Sequence, residues 1–168
     1  MDPIARHLDE LRRAYRGGAW HGPALGEVLA DVSAEEAAAR PLATHTIAEI
    51  ALHATAWTEE VARRLDGGAP SLPERGDWPG AGPITETTWA GILADLDRAR
   101  AALEAAVERF PADRLDEIVG TPTRDAPLGI GITYATMLHG LAQHDAYHAG
   151  QIALLKAELR RGRPQPER

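Results

Sequence analysis

Seven histidines stand in this 168-residue chain, beside a single lysine and no cysteine. Two of them, His144 and His148, are four residues apart. In a helix that spacing stacks both imidazoles on one face, with Cβ atoms about 5–6 Å apart, so both rings can reach one ion. Leu141, Ile152 and Leu155 share the face, which predicts that the pair looks into the molecule. His53 belongs to an earlier segment and lies on or beside an apolar stripe, between Ile50 and Trp57. Bundle proteins build metal sites in their cores from side chains on facing helices. Neutral imidazoles suit Zn, Ni, Fe or Cu, and three of them leave positions open on a tetrahedral or octahedral ion. Water at an open position ionises near neutral pH, or a substrate thiolate replaces it.

Each of these residues also has a plainer reading. A histidine pair at this spacing suits a partly exposed polar face. A lone histidine on an apolar stripe suits a buried ring hydrogen-bonded to a neighbour. The other histidines rank lower. His139 is nine residues from His148, about half a turn of rotation away, and looks in the opposite direction. His21 follows Trp20 at a helix break, His45 precedes a helix cap, and His7 is expected on an exposed face. No catalytic residue or organic-cofactor motif stands out.

Four long amphipathic segments must position the three histidines. The first starts at Pro3, carries Ile4, Leu8, Leu11 and Tyr15, and stops at Gly17-Gly18. Short helical pieces follow through Leu25, Val28 and Leu29, and after the Ser33/Glu36 capping box. A second such box, Thr46/Glu49, opens the next long helix, with Ile47, Ile50, Ala54, Trp57, Val61 and Leu65 as its stripe. Residues 68–84 form a long Gly/Pro-rich connection. A third helix runs from about Glu86 to Phe110, with Trp89, Leu93, Leu96, Leu103 and Val107 inward, and Pro111 ends it. After a turn through Leu115 and Ile118 and a loop from Gly120 to Gly131, the fourth spans about Ile132 to Arg160, ended by Gly162 and Pro164. The expectation is an all-α four-helix bundle occupying residues 1–168 as a single domain, with short extra helices in the connections.

Composition narrows the function classes. Lysine and arginine total 18 against 25 aspartates and glutamates, a formal charge of −7, which repels a phosphate backbone on average. No apolar stretch approaches membrane-spanning length, and the first ten residues lack the pattern of a signal peptide. The absence of cysteine excludes disulfides, thiolate zinc sites and cysteine nucleophiles. A cytoplasmic protein with no nucleic-acid or membrane partner is expected.

The run His144-Asp-Ala-Tyr147-His148-Ala-Gly150-Gln151-Ile152 resembles the H-x-x-Y-H-x-G-Q-I signature of the DinB/YfiT-like metalloenzyme family. Thr46 to Trp57, with His53 followed by Trp57, is similar to that family's second helix, and Trp20-His21-Gly22-Pro23 is similar to a feature of some members. The resemblance implies an up-down-down-up bundle with one divalent ion held by His53, His144 and His148, often in a homodimer. It also implies a thiol-dependent transferase using bacillithiol, mycothiol or a similar small thiol as co-substrate, or a metal-dependent hydrolase. A non-catalytic metal-binding or stress-induced bundle is the alternative, and a metal-free dimerising bundle a third.

Local chemistry adds expectations. Gly150 is expected to admit a facing helix, and Gln151 to bond an imidazole N–H or a ligand, unless it is a surface residue. Asp145 and Glu49 are candidates for carboxylates that hydrogen-bond a ligating imidazole, but are read first as a solvated residue and a helix cap, and Trp57 and Tyr147 as core packing more than pocket wall. No inward carboxylate stands out as a general base, which favours the thiol reading over the hydrolase.

Overall fold

The computed structural model describes residues 2–120 and 131–161. Six α-helices account for nearly all of its regular structure: α1 (Pro3–Arg16), α2 (Leu25–Leu29), α3 (Ala34–Ala38), α4 (Ile47–Leu65), α5 (Glu86–Arg109) and α6 (Tyr134–Leu159). A turn of 3-10 helix, Ala112–Arg114, follows α5. Among the described residues there is no strand, only an isolated antiparallel bridge between Ile118 and Thr133. No helix among them is long and apolar enough to cross a membrane.

The helix starts follow from side-chain oxygens that accept otherwise orphaned N–H groups. Ser33 accepts from Glu36, Thr46 from Glu49, Thr85 from Thr88 and Thr133 from Thr136. The fourth long helix therefore begins at Tyr134, two residues later than the apolar pattern suggests, because Thr133 supplies the cap. Its end is at Leu159, and the expected stops at Gly162 and Pro164 lie outside the described residues, as does most of the Gly120–Gly131 loop.

Two apolar clusters fill the bundle, one towards each end. One joins Tyr15 of α1, α2, Ile47 to Ala54 of α4, Trp89 to Leu96 of α5 and Ala149 to Leu155 of α6. The other joins Ile4 to Ala14 of α1, Val61 and Leu65 of α4, Leu103 to Val107 of α5 with Phe110 just past its end, and Tyr134 to Ala142 of α6. The N-terminal halves of α4 and α5 thus sit with the C-terminal half of α6, which gives α4 and α5 the same sense and α6 the other. Two successive helices of one sense need a connection that travels the length of the bundle. A 19-residue helix is about 28 Å long.

That connection runs back along α4 on a ladder of side-chain contacts. The buried Glu60 carboxylate accepts from Arg64 Nε at 2.7 Å and from the Ser71 N–H at 3.0 Å. Arg75 forms a paired ion bridge to Glu59, both contacts 2.8 Å. Farther along, the Trp57 indole N–H donates to Asp77 Oδ1 at 2.7 Å.

Asp145, read as solvated, is instead 0% exposed and bonded to the Arg100 guanidinium, itself buried. Arg100 also lies over the Tyr15 ring, 4.9 Å from its centroid. The pairing partner is on α5, so nothing local to α6 announces it. Removing one member of such a pair leaves the other charge buried and uncompensated, at about 3–5 kcal/mol. Asp145→Leu is expected to lower the unfolding free energy read from urea melts by that amount, and the double change Arg100→Met/Asp145→Leu to recover most of the loss.

Candidate metal centre

α4 and α6 face each other near mid-bundle, and there the three histidines meet. His53 Nε2 lies 2.9 Å from His144 Nε2, and His148 Nε2 lies 3.0 Å from the same atom. Donor atoms of all three residues fall within 4.8 Å of one another. His53 and His148 are buried, and His144 is half-buried. His139 points away, as expected, and bonds Glu10 at 2.5 Å on the outer face of α6.

Hydrogen bonds at the far side of two rings fix their tautomers. His53 Nδ1 is 2.5 Å from the backbone carbonyl of Asp77, an acceptor only, so that nitrogen carries the proton. His148 Nδ1 donates to Gln151 Oε1 at 2.7 Å, while Gln151 Nε2 donates to the Tyr147 hydroxyl at 3.0 Å. Both rings therefore turn a bare Nε2 lone pair towards His144 Nε2. His144 Nδ1 is buried and has no partner. A single proton on His144 can serve only one of the two facing lone pairs. A cation serves all three nitrogens at once. Nitrogens sharing an ion at about 2.0–2.1 Å stand roughly 2.8–3.4 Å apart, a range that holds both separations from His144 Nε2.

Protonation does not compete with a metal here at neutral pH. Burial, reinforced by the His148 and His53 rings and by Arg100, pushes His144 down to about 3. Burial pushes His148 down to about 4 against the opposing bond to Gln151. His53 is lowered too, by burial, partly offset by the Asp77 carbonyl and carboxylate.

The long connection contributes what sequence reasoning missed. Asp77 orients His53 and Trp57, and its Oδ1 lies 3.4 Å from His53 Nδ1. Trp78 stacks on His53, with ring centroids 3.9 Å apart, and His45 stacks on the other side of Trp78 at 3.5 Å. His45 is exposed, yet it closes an aromatic sandwich over the site. The only hint was a tryptophan in a Gly/Pro-rich segment, with no helical face to serve. Asp77 also corrects the expectation that no carboxylate approaches the site.

Other expectations divide. Gln151 makes the imidazole bond proposed for it, and Glu49 is the helix cap, accepting the Thr46 N–H at 2.8 Å and pairing with Arg40. Gly150 admits no facing helix: a Cβ there would meet nothing within 4 Å. Tyr147 is 64% exposed and Trp57 half-buried; both wall a cleft rather than fill the core. The His7 side chain is 15% exposed, tucked beside Glu10 rather than on an open face.

The cleft, about 610 Å³, opens beside the three imidazoles. Trp57, Val61, Met137, Leu141 and Tyr147 form much of its wall. Arrangement and opening together suit an ion with free coordination positions facing a bound molecule.

Two outcomes follow from this geometry. Below pH 6.5 the unfolded chain binds protons that the folded metal-free site refuses, so stability falls with falling pH from 6.5 to about 4. Each refused proton costs at most about 1.4 kcal/mol per pH unit, and thermal melts of metal-free protein across that range read the slope. Gln151→Leu, which removes the partner of His148 Nδ1, is expected to weaken zinc affinity about 10–100-fold in a competition titration while helicity is unchanged.

A family model described as the DinB superfamily matches residues 9–152, most of the chain and all three histidines. No curated protein and no solved structure matches the chain.

Proposed function

The chain belongs to the DinB superfamily, and we propose that it is a metal-dependent enzyme with one divalent ion at His53, His144 and His148. The observation that carries this reading is the convergence of three imidazole nitrogens that share at most one proton, at the side of an apolar cleft. A divalent ion such as Ni, Zn or Fe, when bound there, lowers the pKa of a thiol or water brought to it and so supplies a nucleophile at neutral pH.

The chain's own residues do the rest. The Asp77 carbonyl and Gln151 hold two rings in the ligating tautomer. Trp78 covers the His53 face. The apolar wall desolvates an organic substrate and holds its reacting carbon near the histidines. In the reading we favour, the nucleophile is a small thiol: its proton passes to solvent, sulfur forms a bond to the electrophilic carbon, and the leaving group departs with its bonding electron pair. A hydrolase is the second reading. Asp77 supports it, since a carboxylate at the cleft is placed to take a proton from water.

The non-catalytic alternative expects a closed coordination sphere with a fourth protein ligand. Among the described residues the donor group has three members. The enzyme reading further expects a cytoplasmic homodimer acting on a small molecule, without nucleic-acid or membrane partners.

Elemental mass spectrometry on untagged protein purified without chelator tests the centre. Near one equivalent of Ni, Zn or Fe is expected, lost in His144→Ala/His148→Ala with the helical signal intact. Thiol consumption with uncharged electrophiles then separates transferase from hydrolase. Protein that stays metal-free in excess ion would remove the centre and the enzyme reading with it.

A further inference from the structure

The cleft beside the histidines has a chemical bias of its own. Trp57, Val61, Ile132, Met137, Leu141 and Tyr147 line most of it, with Thr136 among them. Besides the Thr136 hydroxyl its polar lining includes the Tyr147 hydroxyl, which accepts from Gln151. Among the described residues no lysine or arginine lines it, and the one charged side chain is the Asp77 carboxylate. The chain as a whole carries a formal charge of −7. An anionic group on a ligand's body would therefore be desolvated against apolar walls with no cation to meet it. The volume, about 610 Å³, lies within the range of small-molecule sites.

We infer that this cleft binds an uncharged, largely apolar organic substrate whose single polar reacting group faces the imidazoles, and that it discriminates against molecules with an anionic body. The reacting-group end of this inference rests on the proposed metal centre; recognition of the apolar body does not. Flat side chains at Trp57 and Tyr147 favour a substrate with an aromatic or similarly planar portion.

Gly140 sets the room available. It sits one helical turn before His144, at the wall of the cleft, and a Cβ there would meet nothing within 4 Å. A glycine inside a helix costs roughly 1 kcal/mol relative to alanine, and here it leaves cleft space that any side chain would occupy. Gly140 is in this sense a specificity residue, fixing how bulky the substrate can be.

Two probes that share an anilinonaphthalene framework test the bias. N-phenyl-1-naphthylamine is neutral, and 8-anilinonaphthalene-1-sulfonate carries a sulfonate. Binding to the protein as purified, and again after dialysis against a chelator, is followed by probe fluorescence and by quenching of tryptophan emission. The neutral probe is expected to saturate one site at least about ten-fold more tightly than the sulfonate. Gly140→Trp is expected to weaken the neutral probe by about ten-fold or more, with helicity and zinc affinity unchanged. Thr136→Arg places a cation at the cleft and is expected to raise sulfonate affinity roughly ten-fold.

Equal or tighter sulfonate binding to the unaltered chain would overturn the inference. So would neutral-probe binding that ignores Gly140→Trp in a folded protein. If that variant does not fold, Thr136→Arg decides, and an unmoved sulfonate affinity counts against the inference. A zinc titration on the same samples keeps the two readings apart. Absent zinc binding with the probe pattern intact removes the metal centre and leaves the apolar cleft, and the reverse result does the opposite.

Discussion

At most one proton can stand between His53, His144 and His148, because the first and third already spend theirs on Asp77 and Gln151. At least one of the two lone pairs that face His144 Nε2 is therefore left without a hydrogen to meet and repels its neighbour, and the folding energy of the bundle has to hold the rings there. The two apolar clusters do this from either side: α4 and α6 are clamped above the histidines by Ile47 to Ala54 against Ala149 to Leu155, and below them by Val61 and Leu65 against Met137 to Ala142. Rings fixed in this way do not swing apart to relieve the repulsion. The rigidity that costs the metal-free protein stability is what prepares the site for a cation.

The segment between α4 and α5 is bound into the same logic. It has to return along α4 because the next helix starts at the same end, and the return is pinned at Glu60, Glu59 and Trp57 before it reaches His53. A connection required by chain path alone thereby delivers a carbonyl and an indole ring to the site. Order in the connection and order at His53 are therefore linked, since Asp77 touches α4 through Trp57 and through His53 at once.

The helices were legible in sequence because their signals are local. Capping boxes at Ser33 and Thr46 and stripes repeating every three to four residues depend only on near neighbours, and the spacing of His144 and His148 is of the same kind. What escaped was set by partners distant in sequence. Asp145 reads as a surface carboxylate until Arg100, 45 residues away, is seen beneath it. Tyr147 and Trp57 read as core aromatics, because helical periodicity reports a face but not whether that face is packed or left open as a cleft. Gly150 shows the same blindness from the other side: a helical glycine suggests close approach, and here nothing approaches.

The contact that orients His53 comes from a peptide carbonyl, which every amino acid possesses. Position 77 can therefore change its letter while the imidazole keeps its tautomer, provided the backbone still passes at the same height along α4. Constraint at that point acts on the length and course of the connection rather than on residue identity. Comparing related chains letter by letter would pass over it, whereas one inserted or deleted residue between Ser71 and Asp77 would shift the carbonyl away from the ring.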